Sequence, residues 1–74
     1  MKLQDGYKVL MTHRSKYVAA TGTIRLLPNE VNYVMIDWDV GVSSRVDVNY
    51  FTYDWIYVVK DEKEALATIL KLDG

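Results

Sequence analysis

Val31-Asn32-Tyr33-Val34-Met35-Ile36-Asp37-Trp38-Asp39-Val40 decides the fold class of this 74-residue chain. Val34, Ile36 and Trp38 alternate with Tyr33, Met35, Asp37 and Asp39. A period of two sends the first set to one face of a strand and the second set to the other. Gly41 follows with a tight turn, and residues 45–48 read as the next strand, with Val46 and Val48 inward. Before it, Pro28-Asn29-Glu30 makes a turn. Residues 17–27 form an extended stretch in which Ile24 and Leu26 point inward and Thr23 and Arg25 outward. Gly22 inside that stretch predicts a bulge or a sharp bend. Residues 7–12 predict the first strand, with Tyr7, Val9 and Met11 on one face, and the polar residues 13–16 a loop. Residues 49–54 are an irregular link and 55–59 a last strand.

The end of the chain changes character. Asp61 is placed to cap a helix and Glu64, three residues on, completes a capping-box pattern. Leu66, Ile69 and Leu70 then recur at helical spacing and predict one apolar stripe. About three turns are too short to be stable alone, so the stripe must pack on the sheet or on a partner. The expectation is a single domain, 1–74, with a five-stranded β unit over 6–59 and a C-terminal helix over 61–72.

Composition bounds the possibilities further. The chain has no cysteine, so it has neither a disulfide nor a thiolate metal site, and its one histidine, His13, cannot build a zinc site alone. A domain of this size depends on apolar packing. No apolar run approaches the length of a membrane span, and the first six residues lack the apolar stretch of a secretory signal, so a cytoplasmic protein is expected. The formal net charge is −1, but residues 1–27 carry +4 and residues 28–74 carry −5. An uneven charge distribution of this kind predicts a bipolar surface.

The stretches Ala20-Thr21-Gly22-Thr23-Ile24, Val34-Met35-Ile36-Asp37-Trp38-Asp39-Val40-Gly41 and Ser44-Arg45-Val46-Asp47-Val48 together resemble the core of small SH3-like barrels of the KOW, Tudor and Mind-bomb types. The resemblance spans about residues 6–59. It implies a mostly β, five-stranded SH3-like barrel, to which the C-terminal α-helix is an addition. It implies binding to RNA, DNA, ribosomal or polymerase surfaces, or peptide tails. In size and style the chain also resembles small phage accessory proteins that bind a host factor.

No catalytic constellation is legible. Asp37 and Asp39 share a strand face, but a turn residue and a solvated strand carboxylate explain them, and there is no Ser-His-acid set, phosphate loop or paired-histidine motif. Neither metal nor cofactor is expected. Aromatic residues are the clearer signal: Tyr50, Phe51, Tyr53, Trp55 and Tyr57 fall within eight positions. A barrel this small cannot bury them all. Tyr17, Tyr50, Tyr53 and Trp55 are therefore the expected partner-binding set, since an apolar body with a polar tip suits an exposed interface. The leading expectation is a non-enzymatic protein-binding module. It would dock on a larger macromolecule of transcription, translation or host defence and inhibit or modulate it. The alternative is a nucleic-acid-binding domain in which His13, Arg14, Lys16, Arg25 and Arg45 contact phosphates and Tyr17 stacks on a base. A third reading is a homodimer formed by strand pairing or helix exchange.

Overall fold

The computed structural model describes residues 2–73, so positions 1 and 74 of the expected 1–74 domain lie outside it. Five strands and a helix follow one another: β1 (Lys8–His13), β2 (Tyr17–Leu26), β3 (Tyr33–Trp38), β4 (Ser43–Asp47), β5 (Ile56–Val59) and α1 (Glu62–Asp73), with a 3-10 turn at Val48–Thr52 between β4 and β5. All strand pairs are antiparallel, and the sheet order is β4-β3-β2-β1-β5. The first four strands are a meander, and β5 crosses back to pair with β1. The protein is thus mostly β with one C-terminal helix, as the alternation predicts. It is not a closed barrel: no ladder joins β4 to β5 among the described residues. The chain leaves β4 through the 3-10 turn, where the Asp47 carboxylate accepts from the Asn49 amide at 2.8 Å, and this turn spans the seam.

The register explains the core. Direct cross-strand partners share a face. Val9 pairs with Gly22 and Val58, Ile24 with Ile36, and Val34 with Val46, so these side chains converge on one side of the sheet. Val9, Ile24, Val34, Ile36 and Ile56 form its buried centre, with Tyr7, Met11, Trp38, Val46, Val48 and Phe51 packed around it. The intervening residue Leu10 faces the other way and is also buried, because α1 packs over β1, β2 and β5. The sheet therefore has two covered faces over β1 and β2.

Two expectations need correction. Gly22 is not at a bulge. The irregularity lies between Met11 and Thr12, where β2 carries one extra residue and register passes from Met11–Ala20 to Thr12–Val18. Gly22 is instead required by close packing. A Cβ there would lie 2.8 Å from Ile36 Cγ2, 3.0 Å from the Asp37 carbonyl oxygen and 3.1 Å from Trp38 Cε3. The helix stripe is also rotated from the one expected. Ala65 is buried and Ile69 half-buried, whereas Leu66 and Leu70 are exposed. Ala65 and Ile69 face Leu10 and Gly22 on the sheet, and Leu66 and Leu70 lie away from them. The helix start is as expected in kind: Asp61 Oδ1 accepts from the Glu64 amide at 2.9 Å, and the Glu64 carboxylate reaches back to the Lys60 amide at 2.8 Å.

Substituting Gly22→Ala tests the close approach directly. The added methyl meets backbone as well as side chain, so β2 and β3 must move apart. Overpacking of this kind costs about 1–3 kcal/mol. Urea denaturation should show the midpoint lowered with the slope retained.

Candidate functional site

The 3-10 turn and the short link that joins it to β5 carry the aromatic cluster. Tyr53 and Trp55 stack with ring centroids 5.2 Å apart and planes 17° from parallel. Tyr50 meets both edge-on, at 6.1 Å from Tyr53 and 5.8 Å from Trp55. Its hydroxyl donates to the Met11 sulfur at 3.7 Å, and Phe51 lies edge-on against its ring at 5.6 Å. Edge-to-face and offset-stacked pairs are favourable geometries for aromatic quadrupoles. The roles divide accordingly. Tyr50 is half-buried, and that burial raises the pKa of its phenol. It is the pillar. Tyr53 and Trp55, 54% and 37% exposed, form a shelf open to solvent.

The β1–β2 hairpin adjoins this shelf through the backbone. Thr12 is buried, and its hydroxyl donates to the Trp55 carbonyl at 2.8 Å while accepting the Ser15 amide at 3.1 Å. The Thr12 amide donates to the same carbonyl at 2.9 Å, and Ser15 Oγ reaches the Asp54 carbonyl at 3.5 Å. One side chain thus fastens the hairpin turn to the start of β5. The turn itself is unusual. Arg14 and Ser15 both have positive φ, 54° and 58°, and the Lys16 amide closes on the His13 carbonyl at 3.0 Å. A hairpin turn with two left-handed centres normally uses Gly, Asn or Asp there. Beyond it, His13 and Tyr17 are cross-strand partners whose rings stack at 5.3 Å, and Tyr17 is 51% exposed.

The structure therefore assembles Tyr50, Tyr53 and Trp55 into one cluster. It places Tyr17 on the hairpin joined to that cluster by the Thr12 bonds. It also divides the expected basic set. His13, Arg14 and Lys16 stand on the hairpin and its tip. Arg25 and Arg45 stand elsewhere, on the outer face of β2–β4, and each is engaged. Arg25 forms a two-pronged pair with Asp37, at 2.9 and 3.1 Å, and Ser43 Oγ donates to the same carboxylate at 2.7 Å. Arg45 pairs with Glu30 in the same two-pronged way and lies 3.9 Å over the Tyr33 ring. Asp39 accepts from Thr21 Oγ1. The Asp37–Asp39 pair is thus divided between two different sets of partners. Among the described residues no three His, Asp or Glu side chains gather as a metal site would require. Among those residues no helix is long and apolar enough to cross a membrane.

Sequence reasoning missed Thr12, because its role depends on a bond to a carbonyl forty-three residues away. It also missed an apolar groove of about 750 Å³ between the N-terminal segment, the β2–β3 turn, the 3-10 turn and β5, walled by Leu3, Leu27, Val34, Phe51, Ile56 and Val58. No signal in the sequence marks where a sheet fails to close. Comparison of the chain with protein-family models, with curated proteins and with solved structures returns no match.

Two outcomes test this geometry. Thr12→Val keeps the shape and deletes the hydroxyl, leaving the Ser15 amide without its acceptor. Stability should fall by about 1–2 kcal/mol in urea denaturation, and hydrogen exchange at the Ser15 amide should accelerate. The second concerns pH. Hydrogen bonds from Arg25, then from Ser43, hold the Asp37 carboxyl below its ordinary value, and Arg45 does the same for Glu30. A depressed folded pKa contributes stability that is complete above the unfolded value and is lost as pH falls through the folded one. With unfolded values of about 3.9 for Asp and 4.3 for Glu, the melting temperature should hold from neutral pH to about 5 and fall below about 4. In Asp37→Asn and Glu30→Gln the acid-side fall should be shallower. Both pairs are exposed, so the effect is small.

Proposed function

We propose that the chain is a non-enzymatic protein-binding module of SH3-like design that docks on a larger protein through its aromatic shelf. The carrying observation is the exposed Tyr53–Trp55 stack held on a half-buried Tyr50. Exposing a tryptophan and a tyrosine side by side leaves apolar surface in water. Fixing them in one geometry removes most of the entropy they would otherwise lose on binding. Rigid Trp and Tyr anchors of this kind dominate protein interfaces. The open five-stranded antiparallel sheet is compatible with the SH3-like reading, and its edges leave the 3-10 turn and the hairpin free to meet a partner. Direct nucleic-acid binding is the less favoured reading. Arg25 and Arg45 already satisfy their charge on Asp37 and Glu30, so a phosphate backbone would have to compete with those carboxylates.

Immobilised chain incubated with cell lysate, with and without nuclease, distinguishes the two. A protein retained after nuclease should be lost with Trp55→Ala, whose affinity is expected to fall at least about tenfold, as for an interface hot spot. Trp55 lies outside the buried core, so circular dichroism should be unchanged. Retention that disappears with nuclease, or that Trp55→Ala and Tyr53→Ala leave intact, would overturn the proposal.

A further inference from the structure

The hairpin tip beside the shelf combines three features that its role as a connection does not require. First, Arg14 and Ser15 both occupy the left-handed region, which costs energy that Gly or Asn would not incur. Second, the strained turn is held from below by the buried Thr12 hydroxyl and beside by the Ser15–Asp54 contact. Third, the tip keeps its charge. Of the five basic residues among the first 27, Lys8 lies 4.0 Å from Glu62 and Arg25 is paired with Asp37, whereas Lys2, Arg14 and Lys16 form no ion pair among the described residues, and the last two stand together on the tip. Strain that the surroundings maintain is a feature of binding sites. Here it aims an arginine, with a lysine two residues on, out from a rigid aromatic platform.

We infer that the shelf and the tip read one ligand together: an extended acidic segment of a protein partner. An apolar or aromatic residue of that segment lies on Tyr53 and Trp55, and flanking carboxylates pair with Arg14 and Lys16. This inference rests on the docking reading above and adds the chemistry of the partner. Charge complementarity favours a peptide over a nucleic acid. Two free cations match a few carboxylates and are too few for the continuous charge of a nucleic-acid backbone. The rings point the same way. Tyr53 and Trp55 stack on each other, so they offer a single short shelf, with Tyr50 closing one side. A strand of successive bases needs a series of open ring faces. Arginine suits the task, since its planar fork grips a carboxylate with two bonds.

The test uses the intact chain and a set of synthetic peptides of about ten residues. Each has a central Tyr or Pro and a graded number of flanking Glu residues, with Gln-for-Glu controls. Fluorescence anisotropy should show affinity rising with the number of Glu and falling as salt is raised. Two sets of tip variants are needed. Arg14→Glu with Lys16→Glu should weaken the most acidic peptide at least about tenfold, the ratio expected of charge-assisted contacts. Arg14→Asn with Lys16→Gln removes the charge but suits the left-handed turn better. It should raise the melting temperature while lowering affinity for acidic peptides alone, an outcome that misfolding cannot produce. Affinity that does not depend on the number of Glu would overturn the acidic reading. So would tip variants that bind normally while Trp55→Ala abolishes binding, and in that case the aromatic docking site would stand. Binding indifferent to Trp55→Ala would remove the docking site itself. Tighter binding of a single-stranded oligonucleotide of equal length would overturn the choice of partner.

Discussion

The sheet is organised around a missing side chain. Gly22 is the point at which β2 comes within contact distance of Ile36 and Trp38, and β2 is the middle strand, flanked by β1 and β3. The Trp38 indole N–H donates to Ser44 Oγ at 3.0 Å, so the same ring that covers Gly22 also ties β3 to β4. A movement at this position would be transmitted to four of the five strands. The chain has little else to rely on. It has no disulfide, and its buried apolar residues are few. For a domain this small, stability is a narrow margin of packing over conformational entropy, and that margin depends on the Gly22 contact.

The seam between β4 and β5 gives the fold its asymmetry and gives the site its location. β5 has a strand neighbour on one side only, β1. Beyond the ladder it is held by Ile56 in the core, by α1 over it and by the two bonds from Thr12 to the Trp55 carbonyl at its start. Those bonds hold the edge strand in place and also hold the hairpin turn beside the aromatic shelf. Site and fold are therefore coupled at one residue. A loosened hairpin loosens β5, and a frayed β5 disperses the rings. Regions at sheet edges usually open more readily than the centre. The buried hydroxyl counters that tendency where the exposed rings must stay aligned.

What could be read from the sequence was what repeats locally. The period-two alternation of residues 33–38 located β3 and its inward face, and the Asp61–Glu64 spacing located the helix start. Registers and rotations were less accessible. Leu66, Ile69 and Leu70 have the spacing of a buried stripe, but it is Ala65 that lies buried against the sheet, and two of the three face outward. The positive φ values at Arg14 and Ser15 carry no glycine to announce them. Arg25 and Arg45 could be placed on the outer face by alternation, yet their partners, Asp37 on β3 and Glu30 in the β2–β3 turn, lie twelve and fifteen positions away and are visible only once the sheet is assembled. The aromatic excess was legible as an excess. Its division into a buried pillar and an exposed shelf was not, since that depends on how the 3-10 turn lies over Met11.

The charge split between the two halves of the sequence illustrates the same point and its consequence. It would give a bipolar surface if the halves occupied separate faces. They do not, because β1 and β2 lie between β3 and β5 in the sheet and α1 packs over them. Lys8 meets Glu62 and Arg25 meets Asp37, each crossing from the basic half to the acidic one. Pairing between neighbouring elements thus offsets part of a long-range imbalance locally. The hairpin tip escapes it because it projects past the ladder, where β3 and β4 cannot reach. Exposed charges act over about one Debye length, about 8 Å at physiological salt, so the field of Arg14 and Lys16 reaches little further than the shelf beside them. The tip is therefore suited to orienting a partner already near the shelf, and poorly suited to attracting a polyanion from a distance.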